Sequence, residues 1–164
     1  MSGAMARKLS HVDGSGNVRM VDVSRKPVTA RSAVARGRVF MHRDTLSLLI
    51  NNRAPKGNVL ATAHVAGVMA AKRTSDIIPL THPLPLDGVE LSFSFDTASS
   101  SVGIEAQVKT RSRTGVEMEA LTAVTVAALT LYDMLKAVDR GMVMGEFALW
   151  EKRGGRSGVY RRRT

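Results

Sequence analysis

The chain has 164 residues, a formal net charge of +10 and no cysteine. That length suits one domain with its own core, and the missing cysteine excludes a disulfide framework or a thiolate metal site. The charge favours anionic partners, while an aromatic content of only 4% argues against a base-stacking nucleic-acid platform.

Met1 to Ser10 carries Arg7 and Lys8 but no apolar stretch, so it does not read as a secretory signal. The glycines at 3, 14 and 16 predict a loosely ordered N-terminus over 1–18. A single domain over 19–160 follows, and 161–164 is a basic, solvated tail. Met20 to Ser24 alternates in polarity and predicts a short strand. Val28 to Met41 mixes turn and strand signals, with Gly37 as a breaker. Asp44 is placed to cap a short helix running to Ile50. Asn51 to Gly57 is a loop that holds Lys56. Asn58 caps the next helix, Val59 to Thr74, whose Ala61, Ala63, Ala66, Gly67, Ala70 and Ala71 permit close packing.

Pro79, Pro83 and Pro85 then hold the chain in a loop. Gly88–Phe95 and Val102–Val108 alternate in phase and read as a hairpin with one buried face. Ala120–Val138 is the strongest helix, ended by Gly141. It is apolar nearly all round, which predicts burial on both sides. Its uncharged run, Ala120 to Tyr132, is too short to span a bilayer. Met142–Trp150 is a last strand, followed by a loop over Lys152–Gly158. The order is βαββαβ with an extra strand and short helix in front. It predicts an α+β, ferredoxin-like core: an antiparallel sheet with helices on one face. The apolar outer faces of the helices predict a second subunit.

Four features could carry chemistry. Asp133 and Lys136 lie three apart on the apolar helix, hence on one face. If they are desolvated, their proton affinities shift, as acid–base work requires; a helix-end ion pair reaching water is the plainer alternative. Glu117 and Glu119 share a face if the chain there is extended, able to bind a cation or a guanine-like amide edge, or merely to complement a helix N-terminus. His82, in Leu80-Thr81-His82-Pro83, could meet a phosphate or act as acid or base, or be structural. Lys56-Gly57 and the Lys152–Gly158 loop offer cations and free backbone N–H groups to phosphate. They do not form a Walker A loop.

At these residues the chain resembles the MoaC family. The matching text includes Met20–Ser24, Lys56–Val59, Ala70–Thr74, Ile78–Leu84, the run from Arg113 to Arg140 and Lys152–Gly158. The resemblance implies a ferredoxin-like cytoplasmic lyase of molybdenum cofactor biosynthesis. It would convert 3′,8-cyclo-7,8-dihydroguanosine 5′-triphosphate into cyclic pyranopterin monophosphate and pyrophosphate, after a radical S-adenosylmethionine enzyme has cyclised GTP. It further implies a homohexamer, a trimer of dimers with active sites at interfaces. By the same resemblance Asp133, Lys136 and Lys56 are catalytic. Leu80, Thr81, His82, Glu117, Met118, Glu119, Lys152 and Arg31 bind substrate. No tightly bound cofactor is implied, although magnesium could assist. Thr81 and Leu135 stand where the family commonly has cysteine, Asn58 where it has aspartate and His64 where it has arginine. The competing class is a basic RNA-binding domain of the same fold, but Phe93 and Phe95 are the only close aromatic pair and no RNP pattern exists.

Overall fold

The structure, a computed structural model, describes residues 15–163. Its elements run β1 (Thr29–Phe40), α1 (Arg43–Ile50), α2 (Val59–Lys72), α3 (Thr74–Ile77), β2 (Gly88–Asp96), β3 (Ser101–Ser112), α4 (Glu117–Leu135), β4 (Val143–Arg153) and β5 (Tyr160–Arg161). The strands form one antiparallel sheet in the order β2-β3-β1-β4-β5. Two β-α-β crossovers, β1-α2-β2 and β3-α4-β4, interlock in it, which is the ferredoxin-like α+β arrangement.

The core follows from two periods. Every second residue of β1 (Ala33, Ala35, Val39) and β3 (Val102, Ile104, Ala106, Val108) is buried, as one face of a pleated strand must be. Against them α4 sets Ala120, Ala123, Val124, Ala127, Ala128, Leu131 and Leu135, spaced by threes and fours. The alanines let α4 lie close to the sheet. Gly67 does the same between helices: a Cβ there would stand 3.1 Å from the Ala123 carbonyl oxygen and 2.5 Å from Leu91.

The Asn58 cap forms as its sequence predicts, its side chain accepting from the Ala61 N–H at 3.0 Å. Other local readings change. Met20–Ser24 is not a strand; Asp22 instead accepts from the Ser24 N–H at 2.8 Å and turns the chain. Among the described residues no strand therefore precedes β1, and the extra strand is the C-terminal β5. Gly37 does not break β1. It sits at a register shift against β4, where the Phe147 ring occupies the space a Cβ would need. α1 begins after His42, with Asp44 only in its first turn. The capping carboxylate comes from Asp139, 3% exposed, which accepts from the His42 N–H (2.9 Å), the Thr45 hydroxyl (3.2 Å) and the Gly141 N–H (2.9 Å).

α4 starts three residues earlier than expected and stops at Leu135, short of Gly141. At 19 residues it is long and apolar enough to cross a membrane by length and composition, although its inner face is the centre of this core. Its outer face is not covered by the described residues: Leu129 is 54% exposed, and Val65 and Met69 of α2 are also open. Of the loosely ordered terminus expected over 1–18, residues 1–14 lie outside the described residues. The basic tail is exposed, but the Arg161 guanidinium is tied to Glu151 at 2.9 Å.

Candidate active site

The N-terminal end of α4 faces a cleft of about 400 Å³. Three segments build it: residues 21–26 before β1, the proline-held loop at 80–84, and the turn at 114–119. Leu80, Thr81, His82, Glu117, Met118 and Glu119 all line it, so six of the eight residues assigned to substrate by sequence converge in space, while Arg31 and Lys152 do not join them. Glu117 and Glu119 are not on an extended chain, as the shared-face reading required. They occupy the first turn of α4, where carboxylates complement the helix dipole. The Glu117 carboxylate folds back over Gly115, filling the place of a Cβ.

Glu119 is only 4% exposed. Burial pushes its carboxyl above the ordinary value and the neighbouring Glu117 charge pushes the same way, while its own backbone N–H pulls it down. A carboxyl of this kind can donate as well as accept, which suits the amide edge of a purine- or pterin-like ring. Thr81 spends its hydroxyl on the Ile78 carbonyl (2.9 Å). His82 Nε2 lies 2.8 Å from the Val21 carbonyl oxygen.

The residues that the resemblance marks as catalytic lie elsewhere. Lys136 Nζ is 2.7 Å from Asp133 Oδ1, and Lys56 Nζ, at the N-terminal end of α2, is 2.9 Å from the Asp133 carbonyl and 3.6 Å from Oδ2. The three sequence-selected groups thus form one constellation, but not a buried one. The side chains of Asp133 and Lys136 are 57% and 52% exposed, because they sit on the outer face and at the cap of α4. The desolvation expected from the apolar helix is absent. Asp133 is instead held below its ordinary value by the Lys136 hydrogen bond, then by the charges of Lys136 and Lys56. The same hydrogen bond raises Lys136. At neutral pH the pair is carboxylate and ammonium.

A third group lies where β1 and β4 meet the end of β3. Arg31 Nε donates to the Ser112 carbonyl (2.9 Å) and Nη2 to the Arg113 carbonyl (3.1 Å). Its guanidinium lies under Gly154 and Gly155, both at positive φ, where a side chain would collide with it. Lys152 reaches Ser157 across the same loop. Arg31 is therefore half committed to backbone, with one edge left for an anion. Sequence reasoning missed Lys26, the one lysine or arginine lining the cleft among the described residues. Nothing in the Arg25-Lys26-Pro27 pattern signals it; only the fold carries it there.

From Glu117 to Asp133 is sixteen residues of helix, about 24 Å at 1.5 Å per residue. A group must come within about 3 Å of the atom it protonates, so no single atom of a ligand lies in reach of both ends of α4 within one copy of the chain. Among the described residues no group of three or more His, Asp or Glu is arranged to hold a metal.

Fold and cleft together describe an α+β domain with a cleft of small-molecule size at the head of its central helix. The chain belongs to the MoaC family, whose profile matches residues 20–155. It is 60% identical over 152 residues to a cyclic pyranopterin monophosphate synthase of Heliobacterium modesticaldum, covering 93% of this chain and 96% of that protein. It is 61% identical over 155 residues to the protein of the same name from Thermomicrobium roseum (94% and 93%), and 56% identical over 156 residues to that of Parvibaculum lavamentivorans (95% and 98%).

Proposed function

We propose that this chain is a cyclic pyranopterin monophosphate synthase, a phosphorus–oxygen lyase of molybdenum cofactor biosynthesis. It converts 3′,8-cyclo-7,8-dihydroguanosine 5′-triphosphate into cyclic pyranopterin monophosphate and pyrophosphate. The observation that carries the reading is the cleft at the head of α4, which gathers six residues the family motif assigns to substrate, with a buried acid among them. The near-full-length similarity to proteins of that name supports it.

In this mechanism Glu117 and Glu119 orient the guanine-derived ring. Arg31, Lys152 and Lys56 hold the triphosphate, Arg31 through its free edge and the lysines as point charges. Lys136, kept as an ammonium by Asp133, gives its proton to the opening ring system, and Asp133 holds the lysine in place. A hydroxyl of the ribose-derived portion then bonds to the innermost phosphorus, and its proton passes to the neutral amine left on Lys136, which restores the ammonium. The bond from that phosphorus to the pyrophosphate oxygen breaks, and the nearby cations stabilise the charge on the leaving group. No tightly bound cofactor is part of this reading; magnesium could assist the departure of pyrophosphate, but no step is routed through it, and among the described residues no group of three or more His, Asp or Glu is arranged to hold it.

The active assembly is a homohexamer, a trimer of dimers, in which the Lys56–Asp133–Lys136 end of one copy faces the cleft of another. The separation of the two ends of α4 and the uncovered Val65, Met69 and Leu129 support this. The substrate comes from a radical S-adenosylmethionine cyclase acting on GTP, both enzymes working in the cytoplasm and neither membrane nor nucleic acid taking part. Incubation with the cyclised triphosphate tests the proposal. It predicts stoichiometric pyrophosphate and, after oxidation, a fluorescent pterin; a folded protein that yields neither is not this enzyme. Tight RNA binding with a steep salt dependence would favour the competing class.

A further inference from the structure

We infer that His82 is a positioning residue: its Nε2–H clamps a strap formed by residues 18–26, and the strap carries Lys26 into the cleft as a substrate-binding cation. The inference rests on the proposed function for the identity of the ligand, though not for the clamp itself.

The geometry begins at the hydrogen bond. A carbonyl oxygen only accepts, so the 2.8 Å contact between His82 Nε2 and the Val21 oxygen requires the proton to sit on Nε2. The neutral ring is therefore the Nε2–H form, and that nitrogen is not available as a base. The proline-held loop at 79–85 gives the ring a fixed mounting, and the strap is the part it fixes. Without β pairing of its own beyond a single bridge residue at Val18, residues 18–26 depend on few ties. Asp22 accepts from the Ser24 N–H (2.8 Å), and the Lys26 N–H donates to the Val23 carbonyl (3.0 Å). These two hold the turn together but do not dock it. Among the described residues, two side-chain bonds dock it to the body of the domain: His82 to Val21, and Arg113 Nε to the Lys26 carbonyl at 3.2 Å.

Pinned at those two points, the strap presents Val21, Val23 and Lys26 as one wall of the cleft. The cleft is also lined by Glu117 and Glu119, and among the described residues by no other lysine or arginine. A phosphorylated ligand whose ring lies against the two acids meets Lys26 in the same cleft, and a point charge on a flexible stem suits phosphate there. A mobile strap would leave that cation free in solvent, and the ligand would then bear the cost of ordering it.

The test compares His82→Ala, His82→Gln and His82→Asn with Lys26→Ala in the full-length protein. A glutamine side-chain amide reaches about as far as imidazole Nε2, whereas the asparagine amide falls short. Hydrogen exchange reads the Ser24 and Lys26 amides, and steady-state turnover reads KM and kcat separately. For His82→Ala and His82→Asn we expect exchange of both amides to accelerate, and KM to rise by about tenfold, the loss typical of one hydrogen bond's positioning. His82→Gln restores amide protection and most of the KM. Lys26→Ala raises KM while the amides stay protected. If His82→Gln keeps the strap protected and is as inactive as the alanine variant, the ring itself does chemistry and the inference fails. Unchanged exchange in His82→Ala also overturns it. If wild-type protein turns over nothing while His82→Ala still loosens the strap, the clamp stands and the proposed function falls.

Discussion

Glu119 is a carboxyl group with little water around it and another carboxylate two residues away. Its raised proton affinity has a thermodynamic sign. A group that holds its proton more tightly when folded costs nothing below its unfolded value, 4.5, where both states are protonated. As pH rises past that value the unfolded chain ionises first, so stability is lost until the folded group ionises too. Glu119→Gln removes that loss and should raise Tm at neutral pH by about 2–4 °C, the shift that roughly 1 kcal/mol gives in a domain of this size. Activity should fall at the same time, and the Tm gain should vanish at pH 4. Calorimetry at the two pH values checks this. Gly115 makes the complementary case. A methyl group there would meet the Glu117 carboxylate and displace it, but the displaced group is the end of a flexible side chain. Gly115→Ala should leave Tm within about 1 °C and lower kcat/KM at least about tenfold; an equal drop in both, or in neither, contradicts the placement of Glu117.

Among elements, the joint between α4 and α1 depends on one buried carboxylate. Burial pushes Asp139 up, but the His42 and Gly141 N–H groups and the Thr45 hydroxyl outweigh it and lower the group overall. It therefore stabilises the fold above its unfolded value, 3.8, and that contribution is lost as pH falls through the folded value. Asp139→Ala leaves three donors without this acceptor and should cost about 2–3 kcal/mol in urea unfolding, whereas Asp139→Asn, which keeps an acceptor, should cost less. Elements whose signals are local could be read directly from the chain: the Asn58 cap, the in-phase hairpin, the small-residue helix with Gly67. What failed depended on distant partners. Asp139 caps a helix 97 residues away, and Gly37 looks like a breaker until Phe147 is seen above it. The apolar stretch of Ala137 and Val138 disguised the true end of α4. The family's text marked residues that fall into three clusters, but not their setting. Composition marks α4 as apolar without saying which face the chain covers, so of the two readings of Asp133 and Lys136 the desolvated pair fails and the helix-end ion pair reaching water is what the fold shows.

For the whole molecule, the uncovered face of α2 and α4 is the side another copy covers in the proposed assembly. A single charge placed there should separate folding from assembly. Leu129→Glu, at a side chain already 54% exposed, should leave the protomer folded, with a Tm change of only a few degrees. It should yield a smaller species on sedimentation and little turnover. An inactive variant that still sediments as the wild type would place the subunit contact on another face, such as the open side of the sheet around Arg36 and Trp150.

The roughly 24 Å between the head and the cap of the central helix has a genetic meaning. In the proposed assembly a lesion at the head leaves a protomer that can still lend its lysines and aspartate to a neighbour, and a lesion at the cap leaves one that still offers a sound cleft. Glu119→Gln and Asp133→Asn proteins, each dead alone, should regain part of the wild-type rate once mixed and allowed to exchange subunits, at most about a quarter if partners pair at random. Two broken alleles would then make a working pathway, while a chain carrying both changes would rescue neither.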